Sequence, residues 1–359
     1  MKQANTKPIH YVLWDLGPGG MELNVLQYID HFYGHSKMEV YGLRATENTL
    51  FDESKVKVIC ARNNPGNTYW KYWQYCRSNR KDIFHLNNGG PVILLITLLA
   101  GVQNPIYHIH GTIYWKSAIQ KVYLKFVWFF IRILLTFRKV TFVANSHYSE
   151  KVFRDNVLKV KPLVIYNGID TGRFYAHFHP RKRLKKMAYV GRLHPGKNVE
   201  LVIRLFEEIA ADHPQLELHI AGSGPLQEAI RKQCDASPFH QRIICHGFIS
   251  DIERFYGEVD LFLFLSAFES FGNVLVEALL TGLPVLTSDI PAFREIYGEH
   301  HIFELGKPEN YNNIKQRFIQ AVRTYPVLAS KPLTMIEELK HRFSQQNHVD
   351  QINALYVQM

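Results

Sequence analysis

Cysteine is scarce in this chain of 359 residues: only Cys60, Cys76, Cys234 and Cys245. No two of them stand at C-x-x-C spacing, so neither a zinc site nor a disulfide framework is indicated, and a reducing compartment suits the chain. Long apolar runs are also missing. A membrane-spanning helix needs about 20 mostly apolar residues; PVILLITLLAGV (91–102) is too short, and KVYLKFVWFFIRILLTFRK (121–139) is interrupted by Lys125 and Arg132. The first residues, MKQANTKPIHYVLWDL, lack the apolar segment of a secretory signal. No tract is compositionally simple and no period of about 20–50 residues recurs, which excludes solenoids. No D-x-D pair occurs, so a metal held by that motif is not expected. Acidic residues are in deficit, 32 against 42 Lys and Arg, and the net charge of +10 favours anionic partners. The expectation is a cytoplasmic globular protein.

Alternation is what the chain does have. From residue 186 it reads KMAYVGRL, then GKNVELVIRLFEEIAA with apolar residues at 201, 202, 205, 206 and 209, then LELHIAG, PLQEAIRKQC, RIICHG, DIERFYGEV, DLFLFLS, a helical run after ESFG, and LPVLTSD. Strand and helix patterns in strict alternation give a parallel sheet covered on both faces. The first half repeats the scheme less regularly, from IHYVLWDL and GGMELNVLQYIDHF to VTFVANS and LVIYNGID. The length exceeds what one hydrophobic core usually supports. The expected fold is therefore α/β, with two Rossmann-like parallel-sheet domains facing across a cleft. Domain one spans 1–170 and domain two 171–340, joined by the basic, aromatic stretch TGRFYAHFHPRKRLKK (171–186). A helix in 341–359 is expected to return to the first domain.

Such domains bind ligands where strands end and helices begin. Gly17, Gly19 and Gly20 follow the first strand, Gly222 and Gly224 follow LELHIA, and Arg192 and Lys197 follow KMAYV. An Arg at a strand end and a Lys before the next helix suit a diphosphate, the first by its planar fork and the second as a mobile charge. For Gly222 and Gly224 alone, a tight strand-to-helix turn accounts for the residues. In SAFESFGNVLVEALLTGLPVL (266–286), Glu269 lies on a loop and Glu277 eight positions on, inside an apolar helix. A carboxylate there needs hydrogen-bond donors, and ribose hydroxyls are suitable.

These motifs, in this order and spacing, resemble family 4 of the retaining nucleotide-sugar glycosyltransferases, which have the GT-B fold. ESFGNVLVE has the family's E-x7-E form, and GPGGMELNV, VANSHYSE, VIYNGID, VGRLHPGKNVELVI, IAGSGPL and CHGFI match along nearly the whole chain. The resemblance implies that Arg192 and Lys197 hold the donor diphosphate and that Glu277 accepts hydrogen bonds from the ribose. It places Glu269 and His110 at the donor sugar and the backbone of Phe271, Gly272 and Asn273, with Val274, against sugar and phosphate. Phe248 and Ile249 are implied beside the base, and Gly19 and Gly20 against the phosphates; Glu22 stands next to that loop. The implied reaction is metal-independent transfer of a sugar from a UDP- or GDP-sugar to a glycan or lipid-linked acceptor, with retention, in surface polysaccharide or lipopolysaccharide assembly. Where many relatives have a small residue, Phe and Pro after the first glutamate, this chain has Ser270-Phe271-Gly272-Asn273.

Other readings carry less. A dinucleotide-dependent oxidoreductase would show G-x-G-x-x-G, which GPGGME is not. A nucleotide-sugar epimerase or hydrolase of the same plan, and a non-catalytic scaffold, share the fold. Nucleic acid is not an expected partner. Residues 118–139 contain Lys121, Lys125, Arg132, Arg138 and Lys139, no acid, and six interleaved aromatics. Such a segment suits an interfacial helix on anionic lipid at the inner face of the membrane, and equally a helix packed on the sheet with its cations reaching outward.

Overall fold

The computed structural model describes residues 7–17, 20–44, 49–60, 65–87, 89–111, 118–175, 177, 181–300 and 303–359. The chain begins β1 (Ile9–Leu13), α1 (Gly20–Phe32), β2 (Met38–Gly42), β3 (Lys57–Cys60), α2 (Pro65–Ser78), β4 (Ile83–Leu86) and α3 (Gly90–Leu99). It continues with β5 (Asn104–Ile109), α4 (Ala118–Leu134), β6 (Thr141–Ala144), α5 (His147–Asn156) and β7 (Leu163–Val164). Then come α6 (Thr171–Tyr175), β8 (Lys186–Val190), α7 (Val199–Ala210), β9 (Glu217–Ala221), α8 (Gln227–Ala236), β10 (Ile243–Gly247) and α9 (Ile252–Glu258). The remainder is β11 (Leu261–Phe264), α10 (Asn273–Leu280), β12 (Val285–Ser288), α11 (Pro291–Tyr297), β13 (Glu304–Gly306), α12 (Tyr311–Arg323), α13 (Tyr325–Ser330), α14 (Ile336–Phe343) and α15 (Gln345–Val357).

Two sheets result. The first runs β3-β2-β1-β4-β5-β6-β7 and the second β10-β9-β8-β11-β12-β13, and every pairing in both is parallel. Central strands buried along their whole length, such as IHYVL in β1 and LFLF in β11, carry the apolar runs that two covered faces require. Each sheet starts in its middle and reverses its progress once, between β1 and β4 and between β8 and β11. Switch points of this kind, at the carboxyl edge, are where parallel sheets form a ligand crevice.

The chain divides into two units, 1–168 with 345–359, and 169–344. Residues 341–343 thus close α14 in the second unit, and α15 alone belongs to the first. In the first sheet, side chains alternate between two cores. Tyr11 and Ile106 join Tyr28 of α1 and Ile352 and Tyr356 of α15, whereas Val12 and Phe84 join Ile93 of α3, Val127, Trp128 and Ile131 of α4, and Phe153 of α5.

The stretch 171–186 is more than a basic linker. Arg181 is buried, donating from Nε to the Val259 carbonyl at 2.8 Å, from Nη1 to Thr281 at 3.0 Å and from Nη2 to Tyr256 at 2.5 Å. Val259 and Thr281 follow the ends of α9 and α10, where carbonyls lack helical partners and attract a cation. Burial lowers this guanidinium to about 10. Arg181 is therefore no free surface cation of this basic stretch, because its charge faces inward.

Candidate functional site

At the switch between β8 and β11, the structure brings together residues 72 positions apart. Lys197 closes a short 3-10 turn after β8 and forms an ion pair with Glu269 in the loop after β11, where Ser266 Oγ also donates to Glu269 Oε1 at 3.0 Å. Lys197 Nζ lies 5.6 Å from the centroid of the Phe264 ring. Asn198, left-handed at φ 53°, donates from Nδ2 to the Leu265 carbonyl at 2.7 Å and so ties the start of α7 to the same loop. Arg192 is exposed at the mouth of the loop, its carbonyl receiving the Tyr189 hydroxyl at 3.1 Å.

Gly272 caps α10 in the left-handed region, φ 111°, and a Cβ there would come within 3.1 Å of the Phe293 ring. Phe271 is buried edge-to-face on Phe343 at 5.2 Å, which turns the chain so that α10 begins at Asn273 and Val274 directly after the Glu269 loop. First-turn amides of a helix lack intrahelical acceptors and carry partial positive charge. Glu277 lies one turn further in. Burial raises its carboxyl to about 7, opposed by the Tyr256 hydroxyl, 3.4 Å from Oε2, and by the charge of Arg173. Arg173 is itself paired with Glu253, Nε to Oε1 at 2.6 Å.

Gly222 follows β9 at φ 142°, and a Cβ would fall 1.8 Å from the Gly191 carbonyl oxygen. The close approach of two strand ends explains this glycine without a ligand. Phe248, after the last residue of β10, is 73% exposed, and Ile249 is half-buried.

The other sequence candidates lie in the first unit. Gly19 falls outside the described residues; Gly20 is exposed and opens α1. Glu22 is buried in the first turn of α1, and burial holds its carboxyl above the usual range. His110 follows β5, with Nε2 3.3 Å from Asn87 Oδ1. Burial, assisted by His348, lowers its imidazole to about 3.

Sequence reasoning missed Ser266, Tyr256, Arg173 and Asn87. Ser266 stands three residues before Glu269 and was within reach of a local reading. Tyr256, Arg173 and Asn87 have partners at least 20 residues away and no motif marks them.

Most of the chain matches two family models: residues 40–173 that of "Glycosyltransferase Family 4" and residues 176–345 that of "Glycosyl transferases group 1". The chain is 23% identical to an O-antigen biosynthesis glycosyltransferase, WclY, of Escherichia coli, over 81% of this chain and 82% of that one. It is 29% identical to a Campylobacter jejuni N-acetylgalactosaminyltransferase acting on a diphospho-undecaprenol-linked sugar, over 43% of this chain and only 42% of the relative's length. Among solved structures, Anabaena HepE in complex with UDP superposes with a TM-score of 0.78 at 18% identity, covering 99% of this chain and all of that one. No helix among the described residues is long and apolar enough to cross a membrane. With a Family 4 domain followed by a group 1 domain on two parallel Rossmann-like sheets, the chain belongs with the glycosyltransferases of the GT-B fold.

Proposed function

We propose that this protein moves a sugar from a nucleotide-sugar donor, UDP- or GDP-linked, to a glycan or lipid-linked acceptor, with retention of configuration, in assembly of a surface polysaccharide or lipopolysaccharide. The observation that carries the reading is the Lys197–Glu269 pair at the β8/β11 switch, beside the start of α10. One cation, one carboxylate and a helix N-terminus meet where this fold leaves a crevice. The Anabaena neighbour, solved with UDP and with UDP-glucose, supports a nucleotide-sugar partner, and the E. coli relative supports a polysaccharide acceptor.

In this reading the bond from the anomeric carbon to the phosphate oxygen breaks and leaves an oxocarbenium-like sugar. Arg192, Lys197 and the first amides of α10 receive the charge that develops on the diphosphate. The acceptor oxygen attacks from the same face, its proton passing to the departing phosphate oxygen. Glu269 and His110 orient the donor sugar, Glu277 the ribose, and Phe248 and Ile249 flank the base. Gly20 is the first-domain residue assigned to the phosphates, and no metal takes part. Calorimetric titration of UDP- and GDP-sugars tests the site. Arg192→Ala and Lys197→Ala are each expected to weaken diphosphate binding roughly 10- to 100-fold, from about 1.5–3 kcal/mol per charge-assisted hydrogen bond. Folded variants that bind like wild type contradict the assignment.

An anionic membrane surface at the cytoplasmic face is the further partner in this reading. One stripe of α4, with Val127, Trp128 and Ile131, is buried in the core, but the opposite stripe is open: Ile119 is 83% exposed, Val122 69%, Phe126 61% and Phe129 54%, and Phe137 just beyond is 82% exposed. Lys121, Lys125, Arg138 and Lys139 are exposed among them. The buried stripe fits the packed alternative for this segment, and the open stripe supports the interfacial one. Aromatic side chains with interleaved cations suit the headgroup layer of anionic lipid.

A further inference from the structure

Three imidazoles lie in a row at the carboxyl edge of the first sheet, the first two stacked and the third tilted by 31°. His85 of β4 and His108 of β5 have ring centroids 5.2 Å apart and planes within 9°, and the His108 and His110 rings follow at 4.0 Å. His85 Nε2 is 3.1 Å from His108 Nδ1, and its Nδ1 is 2.6 Å from the Tyr356 hydroxyl of α15. Tyr28 of α1 stacks on both His85 and His348 of α15, and Tyr11 of β1 leans on His85.

Groups that can only accept fix where the protons sit. His348 Nδ1–H donates to the Tyr166 carbonyl at 2.5 Å, so in the neutral ring Nε2 receives the Tyr28 hydroxyl at 2.8 Å. The strand end obeys the same rule. Asn87, buried after β4, donates from Nδ2 to the His85 carbonyl at 3.2 Å, which turns Oδ1 toward His110 Nε2 at 3.3 Å. An amide oxygen only accepts, so the His110 proton is on Nε2.

We propose that Asn87 is a positioning residue for His110, holding the imidazole in its Nε2–H tautomer on top of the His108–His85 stack. The proposal rests on the reading above that His110 faces the donor sugar. Charge follows the same arrangement. Burial lowers His85 and His108 well below the usual value and, against the pull of the Tyr166 carbonyl, His348 to about 4. His110 therefore lies beside the neutral rings of His108, His85 and His348, and the tyrosines of β1, α1 and α15 pack in turn against His85 and His348. Among the described carboxyls on the flanking elements, Asp15 follows β1, Glu22 lies in the first turn of α1, and Glu150 in the first turn of α5 is paired with Arg154 at 2.5 Å. A neutral ring is what the chemistry needs, because an imidazolium beside an anomeric carbon gaining positive charge opposes bond breaking.

Histidine-selective 15N NMR of the full chain between pH 5.5 and 8.5, with kcat measured over the same range, tests this. Wild type is expected to show His110 neutral, protonated on Nε2, throughout. Asn87→Asp places a carboxylate against Nε2 and is expected to let His110 charge. With an ordinary pKa of about 6.5 restored, roughly a quarter of the rings are neutral at pH 6, and kcat there falls about fourfold below its value at pH 8. Should the buried carboxylate prevent folding, Asn87→Ala decides the matter through a mixture of tautomers and a lower kcat without an acid limb. A wild-type His110 that titrates near 6.5 or carries its proton on Nδ1 overturns the proposal, as do folded Asn87 variants with the wild-type tautomer and pH profile. His110→Ala tests the underlying reading separately. Full turnover there overturns the donor-facing role, while the wild-type and Asn87-variant spectra still decide what Asn87 does.

Discussion

Burial among the apolar residues of α10 holds the Glu277 carboxyl at about 7, against the pull of Tyr256 and Arg173, so near neutral pH it is part protonated before any donor arrives. The folded-state pKa is raised, so the stability this group contributes is complete below its ordinary value near 4.5 and is lost as pH rises through about 7. Ribose hydroxyls that donate to the carboxylate favour the ionised form. Donor binding is therefore expected to release a proton and to tighten up to about tenfold between pH 6 and 8, the change in ionised fraction about a pKa of 7. Calorimetry in buffers of different ionisation enthalpy reads both effects, and Glu277→Gln, which cannot ionise, should abolish them; equal pH dependence in the variant contradicts the role. At this scale the sequence was legible where spacing is local. Glu269 and Glu277 lie eight residues apart in one motif, and Lys197 follows Arg192 by five. Asn87 was not legible, since an isolated asparagine after a strand carries no sign that a histidine 23 residues later will bond to its amide oxygen.

Elements were legible where one period dominates. Helix α7 reads from its apolar spacing and buries Val199, Leu201, Val202, Leu205, Phe206 and Ile209 as that spacing requires. Helix α4 was ambiguous because apolar residues occupy nearly its whole circumference, and periodicity cannot tell a buried stripe from an open one. Only packing against the sheet separates Trp128, 6% exposed, from Phe129, 54% exposed. Lys121 and Lys125 stand on the open side; Arg132 does not serve the lipid freely, since its Nη2 donates to the Val157 carbonyl at 2.6 Å. Each lysine near an anionic surface contributes about 1 kcal/mol. The chain is expected to sediment with phosphatidylglycerol vesicles at low salt and less at high salt, and less again after Lys121→Gln with Lys125→Gln or Phe126→Ser with Phe129→Ser. Equal, negligible sedimentation with anionic and neutral vesicles contradicts the membrane surface.

Across the whole molecule, strand–helix alternation made two parallel sheets legible, because each crossover of that kind returns the chain to the same direction. It is strict from β8 to β13, while β3 follows β2 with no helix described between them and still pairs parallel to it. The order of strands was less visible. Placing β1 and β8 in the middle of their sheets, with a switch to β4 and β11 on the other side, depends on which edges the later strands join. The division of the final helices, α14 with the second unit and α15 with the first, was also hidden. Only Ser344 separates them, and the apolar faces of both read alike until Ile352 and Tyr356 are seen against the first sheet. Sugar transfer at the β8/β11 switch is the central claim, and one measurement tests it most directly. The full chain is incubated with UDP- and GDP-sugars and a pool of lipid-linked glycans, and nucleoside diphosphate release, acceptor mass and the anomeric configuration of the product are followed together. The account expects one nucleoside diphosphate released for each sugar residue gained by the acceptor, the donor's configuration retained, and both signals suppressed in Lys197→Ala. Donor consumption without mass gain in any acceptor, an inverted product, or full activity in Lys197→Ala contradicts it.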